Sequence, residues 1–143
     1  MNYSVEMEID LHRDRVVEML TTHDTRRRWQ PGFVGHVPLD GTPGTVGATT
    51  QLTFQVGEQR FHMIETILDR DLPRSFTVSY VSMQSASISR NRFTDVDGGR
   101  TLWTVDMQMK LQGTYKLMSM LSKNTFRAQT EALMRSFADY AAR

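Results

Sequence analysis

The segment that most constrains the fold is residues 103–111, WTVDMQMKL, in which apolar and polar side chains alternate strictly. Alternation with a period of two predicts a β-strand with one buried and one solvated face. The same alternation of apolar and polar residues recurs over shorter segments, at residues 3–9, 52–56 and 76–80. After Gly113 the alternation stops, and apolar residues recur at helical spacing. The pattern therefore predicts an antiparallel sheet whose apolar face is covered by one terminal helix.

Helical segments flank this predicted sheet on both sides. A short helix is expected to begin at Asp10 or Leu11, and a second at Asp24, a residue type that commonly caps a helix N-terminus. A long C-terminal helix is expected to begin near Thr114, with a break at Ser122–Asn124. The predicted order is one strand, two short helices, about six further antiparallel strands and the long helix.

Composition excludes several classes of protein. The chain has 143 residues, a length typical of one domain, here spanning residues 1–143. It contains no cysteine, which excludes disulfides, thiol catalysis and cysteine-ligated zinc, and which fits a reducing cytoplasm. Glu6, Glu8 and Asp10 stand where a secretion signal needs an apolar run, and no run of about 18 apolar residues is present. We therefore expect a cytoplasmic protein without membrane insertion.

Charge gives no reason to expect a nucleic-acid partner. The net charge is +1, from 17 basic and 16 acidic residues. Arg26–Arg28 is a short basic run, but basic and aromatic residues are not interleaved as they are in RNA-binding modules. This run is interpreted as a solvated helix face.

No metal or other cofactor is predicted. The histidines lack the spacing of metal ligands; they are His12, His23, His36 and His62. Gly41, Gly44 and Gly47 belong to turns that no helix follows, unlike the glycines of a phosphate-binding loop.

Several short motifs follow one another along the chain. They are Arg28–Gly32, Leu39–Gly44 with Gly47, Met63–Ile67, Leu72-Pro73, Asn91 with Phe93, Thr101 with Trp103, and Phe126 with Gln129. In this order the sequence resembles the SRPBCC superfamily of START-like and polyketide cyclase-like domains, and within it a bacterial branch. The resemblance implies an α+β helix-grip fold, in which a curved antiparallel sheet of six to seven strands wraps a long C-terminal helix. It also implies an apolar cavity between sheet and helix.

Strand alternation predicts which side chains face such a cavity. The strand at residues 103–111 must direct its apolar side chains toward the helix, because its other face is polar. The strand near residue 65 has two alternatives. In the first, Phe61, Met63 and Ile67 face inward together with Glu65. In the second, the inward residues are His62, Ile64, Thr66 and Leu68. The first alternative buries more apolar side chains, so we expect Glu65 to face the cavity.

A carboxylate in an apolar cavity must be paired, hydrated or protonated. Tyr80 and Asn91, on nearby predicted strands, are candidate hydrogen-bond partners for Glu65. Burial without a cation would raise the pKa of Glu65 and make it a usable catalytic acid or base near neutrality. Alternatively, Glu65 ties strands together in a hydrogen-bonded network, or orients the polar end of a ligand.

The predicted ligand-binding residues come from several elements. They are Trp29, Phe54, Met63, Glu65, Tyr80, Asn91, Trp103, Met107, Phe126 and Gln129. Trp29 either gates the mouth of the cavity or packs onto the core as an aromatic staple. Gln129 either reaches the cavity or lies at its rim.

Three functions fit this pattern. The first is binding of a small hydrophobic molecule such as a lipid, isoprenoid or polyketide, with methionines adapting the cavity to it. The second is a cyclase or dehydratase in which Glu65 moves a proton. The third is a protein-interaction or chaperone-associated module, which needs an exposed apolar patch. The sequence contains one candidate acid and no second catalytic group at a diagnostic spacing, so we favour binding. It makes no prediction of oligomeric state.

Overall fold

The computed structural model describes residues 1–113 and 123–143. Seven antiparallel strands form one curved open sheet in the order β1-β7-β6-β5-β4-β3-β2. The strands are β1 Asn2–Ile9, β2 Phe33–Asp40, β3 Thr49–Val56, β4 Gln59–Asp71, β5 Ser75–Val81, β6 Ser85–Val96 and β7 Arg100–Leu111. The predicted α+β helix-grip fold is confirmed.

Two short helices follow β1, as predicted, but both begin later than expected. Helix α1, Arg13–Thr21, is capped by His12, whose Nδ1 accepts a hydrogen bond from the backbone N–H of Asp14 at 3.2 Å. The predicted start at Asp10 or Leu11 is therefore wrong.

Asp24 does not cap the second helix. It lies inside a 3₁₀ turn, His23–Thr25, and this turn leads directly into the single-turn helix α2, Arg26–Trp29. The chain already turns helically at Asp24, so its side chain is not at the extended position that a capping residue occupies.

The C-terminal helix α3 is described over Lys123–Ala141. The predicted start near Thr114 and the first residue of the predicted break, Ser122, lie outside the described residues. The rest of that predicted break, Lys123 and Asn124, is helical and belongs to α3. None of the described helices combines the length and apolar character needed to cross a membrane.

The main core lies where α3 packs on the β1 and β7 side of the sheet. Phe137 of α3 is fully buried there, in edge-to-face contact with Trp29 at 5.1 Å and Trp103 at 5.5 Å between ring centroids. A second apolar cluster, Phe33 with Leu52 and Phe54, lies on β2 and β3. The two clusters are separate, so the concave face of the sheet between them is left without a packed layer, and a cavity results.

Candidate functional site

A cavity of about 630 Å³ lies between the sheet and the helices. Its described wall comes from strands β2 to β7 and from α1, α2 and α3. Eight of the ten predicted ligand-binding residues line it: Trp29, Phe54, Met63, Glu65, Tyr80, Asn91, Trp103 and Met107. That these residues bind a ligand stays a prediction.

Phe126 and Gln129 do not line this cavity, contrary to the expected position of their side chains. Phe126 is half-buried and packs against the main core, and Gln129 is exposed. On α3 the cavity is lined instead by Thr130, Leu133 and Met134. Their spacing of three and four residues defines one helix face, and Gln129 lies about 100° away from Thr130 around the axis.

The predicted orientation of β4 is confirmed. Phe61, Met63, Glu65 and Ile67 all line the cavity. Trp29 combines its two predicted positions, because it packs edge-on against Phe137 and also lines the cavity. Its buried Nε1 has no hydrogen-bond partner among the described residues.

Glu65 is paired with two side chains that were not among its predicted partners. Arg26 donates from Nη1 to Oε2 at 3.0 Å, and Nε2 of His23 lies 2.9 Å from Oε1. Both partners come from the segment just after α1, which lies over the middle of β4. The Arg26–Glu65–His23 cluster is the main polar feature of the cavity wall.

The interpretation of Arg26–Arg28 as a solvated face is wrong for its first member. Arg26 is 8% exposed, whereas Arg27 and Arg28 are exposed. The sequence signal was the distance of three residues between Arg26 and Trp29, which places both on the inward face of one helical turn. Arg26 also donates from Nε to Gln30, and its guanidinium lies 5.3 Å from the ring centroid of Phe33.

The cation changes the expected chemistry of Glu65. Burial alone would raise the pKa of this carboxyl, but the hydrogen bond from His23 and the charge of Arg26 lower it to about 2. Glu65 is therefore ionised at neutral pH. The raised pKa was expected for burial without a cation, and that condition does not hold, because Arg26 supplies the cation. A catalytic role of Glu65 stays a prediction.

Acid should remove the stability that this pairing provides. The pKa of Glu65 falls from an ordinary 4.5 to about 2 on folding, so the unfolded chain takes up the proton first as the pH drops. We expect the stability advantage of the wild type over Glu65→Gln to shrink by about 3 kcal/mol between pH 6 and pH 2. Urea unfolding across this range measures it, with Glu58→Gln, in an exposed turn, as the charge-matched control. An advantage independent of pH would contradict the pairing.

Tyr80 lies directly opposite Glu65 on β5 and is part of the same electrostatic cluster. Burial and the negative charge of Glu65 raise the pKa of Tyr80 to about 12. The phenol therefore keeps its proton and acts as a hydrogen-bond donor at neutral pH. Tyr80 and Asn91 were the predicted partners of Glu65, and of these two Tyr80 lies next to it.

Asn91, the other predicted partner of Glu65, is used elsewhere. Its Oδ1 accepts a hydrogen bond from Nε1 of Trp103 at 3.0 Å, and its Nδ2 donates to the carbonyl oxygen of Phe76 at 3.3 Å. Nδ2 also lies 3.3 Å from both oxygens of Ser89. These contacts hold the Trp103 indole against the cavity wall.

Polar side chains form a cross on the concave face of the sheet. One arm runs across strands β3 to β6 through Thr50, Glu65, Tyr80 and Ser87, which are direct cross-strand neighbours. The other arm runs along β6, where the inward side chains are Ser85, Ser87, Ser89 and Asn91. The hydroxyls of Thr50 and Ser87 form no hydrogen bond with another described residue.

Two stacked histidines extend the polar cluster toward β2. The rings of His23 and His36 lie 4.7 Å apart at an interplanar angle of 22°. Burial, together with the neighbouring His23, lowers the pKa of His36, so its ring is neutral at neutral pH. Within the described residues, no three metal-ligating side chains come together.

Comparisons with known proteins agree with this architecture. A family model described as "Polyketide cyclase / dehydrase and lipid transport" matches residues 2–142. A conserved protein from Geobacillus kaustophilus has a TM-score of 0.79 at 13% identity, covering 99% of this chain and 95% of that one. A START superfamily protein from Mycobacterium smegmatis has a TM-score of 0.78 at 11% identity, covering 99% and 97%.

A plant structure is similar as well. The major latex-like protein 151 of Panax ginseng has a TM-score of 0.76 at 14% identity, covering 100% of this chain and 98% of that one. At such identities these likenesses show a shared fold and do not transfer a function. A search of curated proteins found no match.

Proposed function

Because the chain belongs to the polyketide cyclase, dehydrase and lipid transport family, within the SRPBCC superfamily, we propose that it binds a small amphiphilic molecule in the cavity between sheet and α3. The observation that carries the proposal is the cavity itself. Its volume, about 630 Å³, lies in the range of small-molecule sites. We further propose a cytoplasmic location without a nucleic-acid partner.

The apolar part of the wall supports a hydrophobic ligand. It includes aromatic side chains from β3, β4 and β5 and the methionines Met63, Met107, Met109 and Met134. Apolar ligand surface transferred from water to this wall contributes about 25 cal/mol per Å². Methionine is unbranched and polarizable, so these side chains can adjust to ligands of different outline.

The polar cross argues against a pure hydrocarbon ligand. A hydroxyl group that a bound ligand covers needs a hydrogen-bond partner, and the cavity-lining hydroxyls of Thr50 and Ser87 have none among the described residues. A ligand with oxygen atoms along one edge would satisfy them. Isoprenoid alcohols, oxygenated lipids and polyketide-like molecules have this character.

The enzymatic alternative has weaker support. A carboxylate with a pKa of about 2, held between Arg26 and His23, carries no proton to donate at neutral pH. As a base it is correspondingly weak. Among residues 1–113 and 123–143, the large apolar side chains exposed as an interaction module requires are Val37, Leu39, Val46, Val56, Leu68, Val81 and Met83. They lie on several strands and turns, and nothing identifies a partner for them.

The proposal predicts binding of N-phenyl-1-naphthylamine, an uncharged aromatic probe whose fluorescence rises in apolar sites. We expect one site per chain with a dissociation constant on the order of micromolar. Glu65→Gln should bind the probe within about threefold of wild type, because the probe needs no carboxylate. Native mass spectrometry of the protein from its own cells, followed by extraction, would identify a co-purifying ligand. Absence of saturable probe binding to the folded wild type would contradict the proposal.

A further inference from the structure

The mouth of the cavity is marked by the lining residues that are also exposed to solvent. Among the described lining residues these are Pro38 on β2, Pro43 in the β2–β3 loop, and Arg70 on β4. The β2–β3 loop lies beside Arg70 because the hydrogen bonds between β3 and β4 continue into this loop, before the first residue of β3. The backbone N–H of Gly47 donates to the carbonyl of Ile67 at 2.8 Å, and that of Ile67 donates to the carbonyl of Ala48 at 3.1 Å.

A β-bulge directs Arg70 toward this mouth. Ile67 pairs with Val78, but the next pair is Asp69 with Thr77, so Leu68 is an extra residue on β4. One extra residue reverses the side-chain alternation beyond it. Without the bulge, Asp69 and Asp71 would follow Ile67 on the cavity face; with it, Arg70 does.

In the described cavity wall, Arg70 is the charged side chain that has no opposite charge paired with it. Deeper in the cavity, the charges of Arg26 and Glu65 cancel within their ion pair. Arg70 forms no ion pair with a described residue, and its Nη1 donates to the backbone carbonyl of Gly44. Asp71 is already paired with Arg74, at 2.9 Å.

The turn around Gly44 leaves room for the guanidinium. Gly44 has φ 88°, a conformation that favours glycine, and a Cβ on it would lie 3.1 Å from Nη1 of Arg70. The Gly44 carbonyl fixes one edge of the planar guanidinium. Because a guanidinium has five N–H donors, others remain available for an anion.

We propose that the ligand is an amphiphilic acid whose anionic group binds Arg70 at the mouth while its apolar body occupies the cavity. This inference rests on the proposed function. Carboxylate and phosphate monoester groups both match the guanidinium through paired hydrogen bonds. The hydroxyl groups of the polar cross lie deeper and receive the ligand's uncharged oxygen atoms.

A matched pair of probes tests the charge preference. 1-Anilinonaphthalene-8-sulfonate has the aromatic body of N-phenyl-1-naphthylamine plus one sulfonate. In the wild type the sulfonate probe should bind about fivefold more tightly than the neutral probe, the size of a partly exposed charge pair. Arg70→Gln should remove this preference by weakening the sulfonate probe alone. Arg70→Lys should keep part of it.

Arg60→Gln is the matched control, because Arg60 is an exposed arginine of the same strand that does not line the cavity. It should leave both affinities unchanged. If Arg70→Gln weakens both probes equally, Arg70 only supports the β2–β3 loop and the proposal fails. If the wild type binds the neutral probe and shows no preference for the sulfonate, the anion proposal fails while the proposed function stands. If neither probe binds, the proposed function itself fails.

A second series separates the two acid classes. Dodecanoate, dodecyl phosphate and dodecanol share one apolar chain and can each displace the neutral probe. Stronger displacement by dodecanoate supports a carboxylic acid, and stronger displacement by dodecyl phosphate supports a phosphate monoester. Dodecanol displacing the probe as well as both anions would overturn the proposal.

Discussion

Replacing Arg26 with methionine should lower the free energy of unfolding by about 3–5 kcal/mol, which is the usual cost of removing one partner from a buried ion pair. Glu65 is 7% exposed and would keep only His23 as a partner. Its ionised form would lose its strongest charge partner in a site of low dielectric. Urea unfolding at pH 7 measures the change, and the acid dependence of the variant should be flatter than that of the wild type.

Arg28→Met is the matched control, because Arg28 is exposed on the same helical turn. It should change stability by less than about 0.5 kcal/mol. The double variant Arg26→Met/Glu65→Leu should recover much of the loss, since an apolar pair removes both buried charges. If Arg26→Met is no more destabilising than Arg28→Met, the Arg26–Glu65 pair does not hold α2 on the sheet.

The part of this site that could be predicted from the sequence depends on local periodicity. Side chains two residues apart share a strand face whatever the rest of the chain does. That rule placed Met63, Glu65 and Ile67 together on the cavity wall. The same rule oriented Trp103 and Met107.

The partners of Glu65 could not be obtained in this way. Arg26 lies 39 residues before Glu65, and their contact depends on how α2 sits over β4. Periodicity carries no information about that placement. Periodicity does not predict the β-bulge at Leu68 either. Alternation assumes a strand without extra residues and would place Asp69, in place of Arg70, on the cavity face.

The direction of the Glu65 pKa shift depends on the same contact, which periodicity does not predict. A buried carboxyl without a neighbouring cation has a raised pKa, and the sequence does not reveal that Arg26 and His23 are neighbours of Glu65. With Arg26 and His23 in place the pKa falls to about 2. The sign of a pKa shift is therefore a property of the tertiary structure around the group.

Filling the cavity from the sheet side should abolish ligand binding without unfolding the protein. Ser87 lies on β6 opposite Tyr80 and Met109, faces the cavity, and forms no hydrogen bond with another described residue. Ser87→Phe would place an aromatic ring in the space that the ligand needs. We expect the affinity for N-phenyl-1-naphthylamine to fall by at least about a hundredfold, since probe and ring would overlap.

The stability of the same variant distinguishes a cavity from a packed core. Enlarging a side chain in a well-packed core costs about 1–3 kcal/mol, whereas filling a real cavity with apolar atoms is neutral or stabilising. Ser87→Phe should therefore unfold at a urea concentration no lower than the wild type. Ser79→Phe, on the opposite face of the neighbouring strand β5, is the control and should keep wild-type probe affinity. A Ser87→Phe protein that is destabilised by 1–3 kcal/mol and still binds the probe would show that the ligand site lies elsewhere.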